Sequence, residues 1–166
     1  MSYLFKGGLL KLKTVKKRLP NGLTVRLELI EHPGAVLIVP FLSKDKIIFI
    51  RQFRPVVNSY LYELPAGTRE QGEALLSCAK REMAEETGYQ GGVFKRIGKI
   101  YPVPGYSTEV ITIFKAEQLV KTAFLAEPDE IIKTHFFSRH HVKKLFHHRK
   151  IVDAKTISAL SFIGWL

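Results

Sequence analysis

A short stretch near the middle of the chain carries acidic residues at a spacing that a helix would bring together. In AKREMAEETGY, residues 79 to 89, Glu82, Glu85 and Glu86 stand at positions i, i+3 and i+4. A helix would place these three carboxylates on one flank. Clustered carboxylate oxygens suit a hard divalent cation such as Mg²⁺ or Mn²⁺, which takes its other ligands from water and phosphate. The spacing indicates metal-assisted chemistry on a phosphate, and an ordinary helix with a charged end is the alternative.

The apolar stripe of this helix predicts that part of the acidic cluster lies on the buried face. The stripe consists of Leu75, Cys78 and Ala79. Glu82 and Glu86 continue the same stripe one and two turns further on. Burying bare carboxylates costs several kcal/mol each unless cations or hydrogen-bond donors compensate them. Arg81 lies at the edge of the stripe and can pair with Glu85, so we expect a further cation to be needed.

The strands that precede this helix follow from turn signals and hydrophobic periodicity. Asn21-Gly22 predicts a hairpin turn, and the alternating apolar residues at 23–29 predict a strand with one face in water. The continuous apolar run at 35–42 predicts a central strand, because both of its faces must be covered. A second buried strand is expected at 47–50, before Pro55.

The second half of the chain alternates strand and helix signals. The acidic helix should span residues 73–87 and end at Gly88. Strands are expected at 93–101, 110–116 and 131–137. Ser138 should cap a helix that runs to residue 146, and a last helix should begin near Asp153. No linker or repeat interrupts the chain, so the pattern predicts one α+β domain over residues 1–166, mostly sheet with helices packed on it.

Composition narrows the classes of protein that this chain can be. Its 166 residues are 46% hydrophobic, which is typical of a folded domain rather than a disordered chain. The excess of 26 Lys and Arg over 15 Asp and Glu gives a net charge of +11, which attracts polyanions. A single cysteine, Cys78, fits a reducing compartment. With no apolar run long enough to span a bilayer and no signal-peptide core, we expect a cytoplasmic protein without a membrane partner.

The segment RHHVKKLFHHRK, residues 139–150, is basic and rich in histidine. Its apolar residues Val142, Leu145 and Phe146 form one helical stripe and leave the basic side chains in solvent. The histidines have no accompanying cysteine or spaced carboxylate, so we do not expect a zinc site. Interleaved aromatic residues are lacking as well, so we do not expect nucleic acid as a partner.

A longer stretch around the acidic helix resembles a known family signature. GTREQGEALLSCAKREMAEETGY, residues 67–89, resembles the Nudix box at every fixed position, with Tyr89 where an aliphatic residue is usual. The matching residues are Gly67, Glu73, Arg81, Glu82, Met83, Glu85, Glu86 and Gly88. The resemblance implies a Nudix α/β/α sandwich with a mixed β-sheet, a core over residues 36–166, and an N-terminal β-hairpin extension over residues 1–35.

The same resemblance implies an activity and a set of roles. Nudix hydrolases cleave a nucleoside diphosphate linked to another moiety, with Mg²⁺ or Mn²⁺ as cofactor. Glu82 and Glu86 would be metal ligands, and Glu85 would ligate a metal or order its water. The carbonyl of Ala66 would add a ligand. Arg81 and Glu73 would orient the carboxylates.

Two flanking stretches resemble the ADP-ribose branch of this family. RQFRPVVNSYLYELPAG resembles the segment before the box, which implies that Arg54, with Arg51 nearby, contacts a substrate phosphate. Exposed edge-strand charges are the alternative. YPVPGYSTE carries Pro104 fifteen residues after Tyr89 and Glu109 shortly after it, which implies substrate binding by this loop. The alternative is a turn between two strands.

The general base is expected from an acidic loop that follows the box in this branch. AEPDEIIKTHFF offers Glu127, Asp129 and Glu130. We favour Glu130, because it stands nearest the next strand and is the best anchored of the three, and we place Glu127 second. A solvated acidic loop without a catalytic role is the alternative.

The resemblance predicts ADP-ribose as the substrate, split into AMP and ribose 5-phosphate. A nucleoside diphosphate sugar or a dinucleoside polyphosphate is the alternative within the same chemistry. A Nudix module that binds a nucleotide or RNA without turnover is the alternative outside it. In the ADP-ribose branch, N-terminal strands exchange between two subunits, so residues 1–35 predict a homodimer.

Overall fold

Twelve strands and three α-helices make up the described part of the computed structural model, which covers residues 3–8, 10–123 and 131–166. The first strands are β1 (Tyr3–Lys6), β2 (Lys11–Arg18), β3 (Thr24–Glu31), β4 (Ala35–Ser43), β5 (Lys46–Arg54), β6 (Ser59–Glu63) and β7 (Ala66–Thr68). After helix α1 (Leu75–Thr87) come β8 (Tyr89–Gln90), β9 (Val93–Ile100), β10 (Ile111–Glu117), β11 (Val120–Lys121) and β12 (Ile132–Ser138). Helices α2 (Arg139–His147) and α3 (Ala154–Phe162) follow.

The largest sheet is mixed, as the family resemblance implies. Its main path runs β12-β5-β4-β10-β9, with β6 added to β5 and β7 added to β4. Strands β4 and β10 are parallel, whereas the other pairs in this sheet are antiparallel. Strand β7 pairs with β4, so the loop that leads from β7 to α1 begins beside the central strand.

The prediction that residues 35–42 form a central strand is confirmed, because β4 is covered on both faces. On one face, Val36 and Ile38 pack in a cluster with residues of α1, namely Cys78, Ala79 and Met83. On the other face, Leu37 and Val39 pack in a cluster with residues of α2 and α3, namely Val142, Ala159 and Leu160. Successive side chains of a strand point to opposite faces, so a strand with helices on both sides must be apolar throughout. This arrangement is the predicted α/β/α sandwich.

The helix ends also follow the local signals in the sequence. Gly88 ends α1 in the left-handed region at φ 70°, and its N–H donates to the carbonyl of Ala84. The side chains of Ser138 and Asp153 accept hydrogen bonds at the starts of α2 and α3. Helix α1 begins at Leu75 rather than at the predicted residue 73. In the part of the chain that the structure describes, no helix combines the length and the apolar character that crossing a bilayer requires.

The N-terminal sheet differs from the expectation that its alternating strand buries one face. Strands β1, β2 and β3 form a separate three-stranded sheet. The predicted turn at Asn21-Gly22, where Gly22 has φ 85°, joins β2 to β3. Large apolar side chains of this part of the chain stay exposed, namely Tyr3, Leu4, Phe5, Leu10, Leu23 and Leu27. Periodicity assigns residues to one face of a strand but does not provide a layer to cover that face. Within the described residues of this sheet, Val15 alone counts as core.

Candidate active site

A cleft of about 500 Å³ lies between the N-terminal side of the central strands and helix α1. Charged residues from distant parts of the chain line it, namely Arg54, Arg81, Glu82, Glu85, Glu86, Glu109 and Lys155. The backbone of β7 and its neighbours Ala35, Val36 and Ile111 supply the rest of the lining. The cleft thus combines a group of carboxylates with a group of cations, which is unusual for a surface depression and typical of a site for a charged ligand.

Helix α1 supplies three of these carboxylates, at the depths that its apolar stripe predicts. Glu86 is buried, with 3% of the residue exposed, and the side chain of Glu82 is 12% exposed. Glu85 lies at the flank of the stripe and its side chain is 34% exposed. The three carboxylates therefore form a gradient from the floor of the cleft towards solvent.

Arg81 joins this cluster to the loop that precedes the helix. Its guanidinium group lies 2.9 Å from Glu82 Oε1 and donates to Glu85 Oε2 at 2.9 Å. It also donates to both carboxylate oxygens of Glu73, at 3.0 and 3.2 Å. The hydrogen bonds from Arg81 lower the pKa of the Glu73 carboxyl from 4.5 to about 2, and the same bonds raise the pKa of Arg81. Arg81 thus contacts more of the cluster than its predicted pairing with Glu85 alone.

The backbone of strand β7 lies against the carboxylates of Glu82 and Glu86. The N–H of Ala66 donates to Glu86 Oε2 at 2.9 Å. A Cβ atom built on Gly67 would lie only 1.9 Å from Glu82 Cδ, so no larger residue fits at this position without moving Glu82. A side chain at position 67 and the present position of the Glu82 carboxylate therefore exclude each other.

Two further cations line the cleft, and a buried acid holds both of them. Glu63 at the end of β6 is 1% exposed and accepts hydrogen bonds from Arg54 Nε and Nη2, both at 2.8 Å. Lys155 Nζ also donates to Glu63 Oε2. Burial raises the pKa of the Glu63 carboxyl, but the hydrogen bonds from Arg54 and the charge of Lys155 outweigh burial and lower it. Sequence reasoning named Arg54 and missed Glu63 and Lys155, which no local motif marks.

Glu109 reaches the cleft from the loop before β10. Its carboxylate Oε1 lies 4.0 Å from His32 Nε2, and the other ring nitrogen of His32 accepts a hydrogen bond from the N–H of Gly34. The backbone N–H of Glu109 donates to Ser107 Oγ at 3.1 Å. Glu109 thus lies at the cleft, where the sequence resemblance placed a substrate contact.

Two of the predicted substrate contacts lie elsewhere among the described residues. Arg51 packs over the ring of Tyr60, with Cζ 4.4 Å from the ring centroid, and does not line the cleft. It stands three residues before Arg54 on one strand, so the two side chains point to opposite faces. Pro104 is exposed in its loop and is not among the described residues that line the cleft. Glu127 and Glu130 lie outside the described residues.

The chemistry of the donor set fits a hard divalent cation. Glu82, Glu85, Glu86 and the carbonyl of Ala66 offer only oxygen atoms, on one side of a cleft that is open to solvent. Within residues 3–8, 10–123 and 131–166, no three His, Cys, Asp or Glu side chains converge closely enough to enclose an ion by themselves. A Mg²⁺ ion is usually held by one or two carboxylates, and water and substrate phosphate supply the rest.

Comparisons with known proteins point to one family. The family model described as NUDIX domain matches residues 31–158. The ADP-ribose pyrophosphatase of Bacillus subtilis strain 168 is 33% identical over 162 residues, which cover 96% of this chain and 88% of that protein. The methanol dehydrogenase activator of Bacillus methanolicus is 30% identical over the same shares of the two chains. A crystal structure of an ADP compounds hydrolase matches the fold at a TM-score of 0.83 and 23% identity, over 98% of this chain and 88% of that one.

Proposed function

The chain belongs to the Nudix hydrolase family, and from that premise we propose that it hydrolyses ADP-ribose to AMP and ribose 5-phosphate. The observation that carries this proposal is a single cleft lined both by carboxylates of α1 and by the cations Arg54, Arg81 and Lys155. The pyrophosphate link of ADP-ribose carries two negative charges, so it needs cationic donors for its oxygens and a divalent cation between itself and any carboxylate. The similarity to the ADP-ribose pyrophosphatase of Bacillus subtilis supports ADP-ribose as the substrate.

Different residues of the chain would bind the substrate phosphate and hold the carboxylates in position. Arg54 is held side-on by Glu63 and presents its remaining N–H groups to a substrate phosphate. Arg81 keeps Glu82 and Glu85 in fixed positions, and the N–H of Ala66 keeps Glu86 in its position. Such prior alignment removes the cost of ordering these groups during the reaction.

Glu82 or Glu86 and the carbonyl of Ala66 would hold a divalent cation, Glu85 would ligate it or order its water, and water and substrate phosphate would complete the ligand set. When bound, Mg²⁺ or Mn²⁺ supplies charge neutralisation for the phosphate oxygens and makes water a stronger acid. Glu109 lines the cleft from the loop between β9 and β10, and there it would contact the substrate. The acceptor of the proton from water stays a prediction, with Glu130 first and Glu127 second.

The proposal is tested by an assay of the purified protein with ADP-ribose and Mg²⁺, in which AMP release is followed. ADP-glucose, GDP-mannose, NADH and diadenosine polyphosphates form the comparison panel. We expect the highest kcat/KM for ADP-ribose and loss of turnover when a chelator is added. A higher value for another substrate would leave the Nudix chemistry in place and reject ADP-ribose. If no substrate turns over, a binding role becomes the better interpretation, and the mobility of labelled RNA with and without Mg²⁺ tests it.

We further propose that the protein is a homodimer joined through residues 1–35, with residues 36–166 as the catalytic core. Support comes from the exposed apolar side chains of the N-terminal sheet, which stands apart from the main sheet. Large exposed apolar patches mark interaction surfaces. We expect light scattering at micromolar concentration to give twice the chain mass and Leu4→Glu to give a monomer. Val120→Glu, at an exposed apolar site outside residues 1–35, should leave the dimer intact. A wild-type monomer would reject the proposal.

A cytoplasmic location completes the proposal. Its support is the lone cysteine, Cys78, which is buried and has no partner for an internal disulfide. Fractionation of the native cells followed by the ADP-ribose assay tests it. Activity in a fraction other than the cytosol would reject this location.

A further inference from the structure

A buried carboxylate couples two cations that lie 101 residues apart in the sequence, Arg54 and Lys155. Glu63, between them, has 1% of its surface exposed. A carboxylate at that depth must be compensated by hydrogen-bonded cations, since an uncompensated buried charge costs several kcal/mol. Both compensating side chains also line the cleft that holds the carboxylates of α1. The burial of Glu63 therefore fixes the place of both cations at the wall of the cleft.

Lys155 is fixed more firmly than a lysine on a helix surface. Its Nζ lies 2.9 Å from Asp153 Oδ1, while Asp153 Oδ2 accepts the N–H of Thr156 and caps α3. Thr156 Oγ1 in turn accepts the N–H of Leu64 at 2.9 Å, which ties the first turn of α3 to the residue after Glu63. The Lys155 side chain is 18% exposed. A flexible side chain has lost most of its rotamer freedom here before any ligand binds.

Donors remain on both cations after these bonds are made. Among the described residues, Lys155 uses two of its three N–H donors, on Glu63 and Asp153. Arg54 uses Nε and Nη2 for Glu63, and no residue that the structure describes accepts a hydrogen bond from its Nη1 group. A phosphate bound to both cations would complete their hydrogen bonding, because phosphate oxygens are strong acceptors of charge-assisted bonds.

We propose that Lys155 binds a phosphate oxygen of the substrate beside Arg54, and that Glu63 is the positioning residue that holds both cations for this purpose. This inference rests on the proposed function, because it assigns the phosphate subsite of the same cleft. The competing interpretation is that Lys155 only compensates the charge of Glu63.

The test compares Lys155→Met with Lys155→Arg and with Lys143→Met, which removes a positive charge from an exposed site on α2. For Lys155→Met we expect KM for ADP-ribose to rise about tenfold or more, with a smaller change in kcat. Lys155→Arg should recover most of the loss, because it keeps the charge and the donors. Lys143→Met should match the wild type. An unchanged KM in a folded Lys155→Met variant would overturn the proposal.

Binding of inorganic pyrophosphate, measured by calorimetry without turnover, separates this inference from the proposed function. We expect Lys155→Met to weaken the binding about tenfold. If wild-type protein fails to hydrolyse ADP-ribose, the proposed function is rejected, and the pyrophosphate titration still decides the role of Lys155. Equal pyrophosphate affinities of Lys155→Met and wild type would reject the subsite.

The double variant Glu63→Gln with Lys155→Met covers the case in which Lys155→Met alone does not fold. It removes the buried negative charge together with the cation. If Lys155 only compensates Glu63, the double variant should bind pyrophosphate as tightly as the single variant Glu63→Gln, which would overturn the proposal. If Lys155 binds phosphate, the double variant should fold and its affinity should be about tenfold or more below that of Glu63→Gln.

Discussion

Gly67 lies so close to the Glu82 carboxylate that a side chain at position 67 would overlap it: a Cβ atom on Gly67 would lie 1.9 Å from both Cδ and Oε1 of Glu82. Strand β7 therefore passes close enough to α1 for the carboxylate to rest against bare backbone. The next residue back, Ala66, binds Glu86 through its N–H. A three-residue strand thus sets the positions of two carboxylates that are one turn apart on the helix.

Gly67→Ala should displace the Glu82 carboxylate and reduce catalysis. The added methyl group must push Glu82 away, and a shift of about 1 Å at a catalytic group can cost about 100-fold in rate. We therefore expect kcat for ADP-ribose to fall by about that factor, with a small change in the melting temperature. Gly8→Ala is the matched control, since a Cβ at Gly8 meets no atom within 4 Å. A Gly67→Ala enzyme with wild-type kcat would show that the position of Glu82 is unimportant.

Glu86→Gln should separate the charge of this residue from its packing. The amide oxygen of glutamine can still accept the N–H of Ala66, which Glu86 accepts at 2.9 Å, so the fold should persist. Loss of the negative charge removes a ligand for a divalent cation, and we expect kcat to fall by about 100-fold or more. Steady-state kinetics and a melting curve measure the two effects. Glu117→Gln, at an exposed site on β10, should behave as wild type in both; near-normal turnover by Glu86→Gln would reject its role as a ligand.

Cys78 should be inert towards thiol reagents in the folded protein. It is fully buried on the inner face of α1, and burial, with the nearby charge of Glu73, raises the pKa of its thiol to about 12. The thiolate is the reactive form, and almost none is present at pH 8. We expect iodoacetamide to label the chain rapidly in denaturant and only very slowly without it, as followed by mass spectrometry. Rapid labelling of the native protein would show that α1 opens readily.

Local sequence patterns predicted those parts of the fold that local interactions determine. Helix α1 and its end at Gly88 follow from an apolar stripe and from one residue suited to φ 70°. The central position of β4 follows from its unbroken apolar run. The N-terminal sheet was mispredicted in part, because alternation at 23–29 does not reveal whether another layer covers the apolar face.

The candidate site shows the same division between local and distant interactions. The carboxylates of α1 lie on one helix, so their spacing alone brought Glu82, Glu85 and Glu86 together. Lys155 meets Glu63 across 92 residues, and no periodic pattern connects two such positions. The separation of Arg51 from Arg54 was readable in principle, because residues three apart on a strand point to opposite faces.

The pair of Glu73 and Arg81 should make the stability of the protein depend on pH in the acid range. Hydrogen bonds from Arg81 lower the pKa of the folded-state Glu73 carboxyl from 4.5 to about 2. Above pH 4.5 the carboxylate is charged in both the folded and the unfolded chain, so the full contribution to the free energy of unfolding is present. As the pH falls from about 4.5 towards 2, the unfolded chain takes up the proton first, and the contribution is lost.

Glu73→Gln cannot titrate, so urea unfolding of both proteins between pH 7 and pH 3 isolates the effect. We expect the wild type to be more stable than Glu73→Gln at neutral pH, by an amount that stays level down to about pH 5 and then shrinks. A stability difference that is independent of pH, or that grows as the solution is acidified, would show that Arg81 does not hold Glu73 in its charged form.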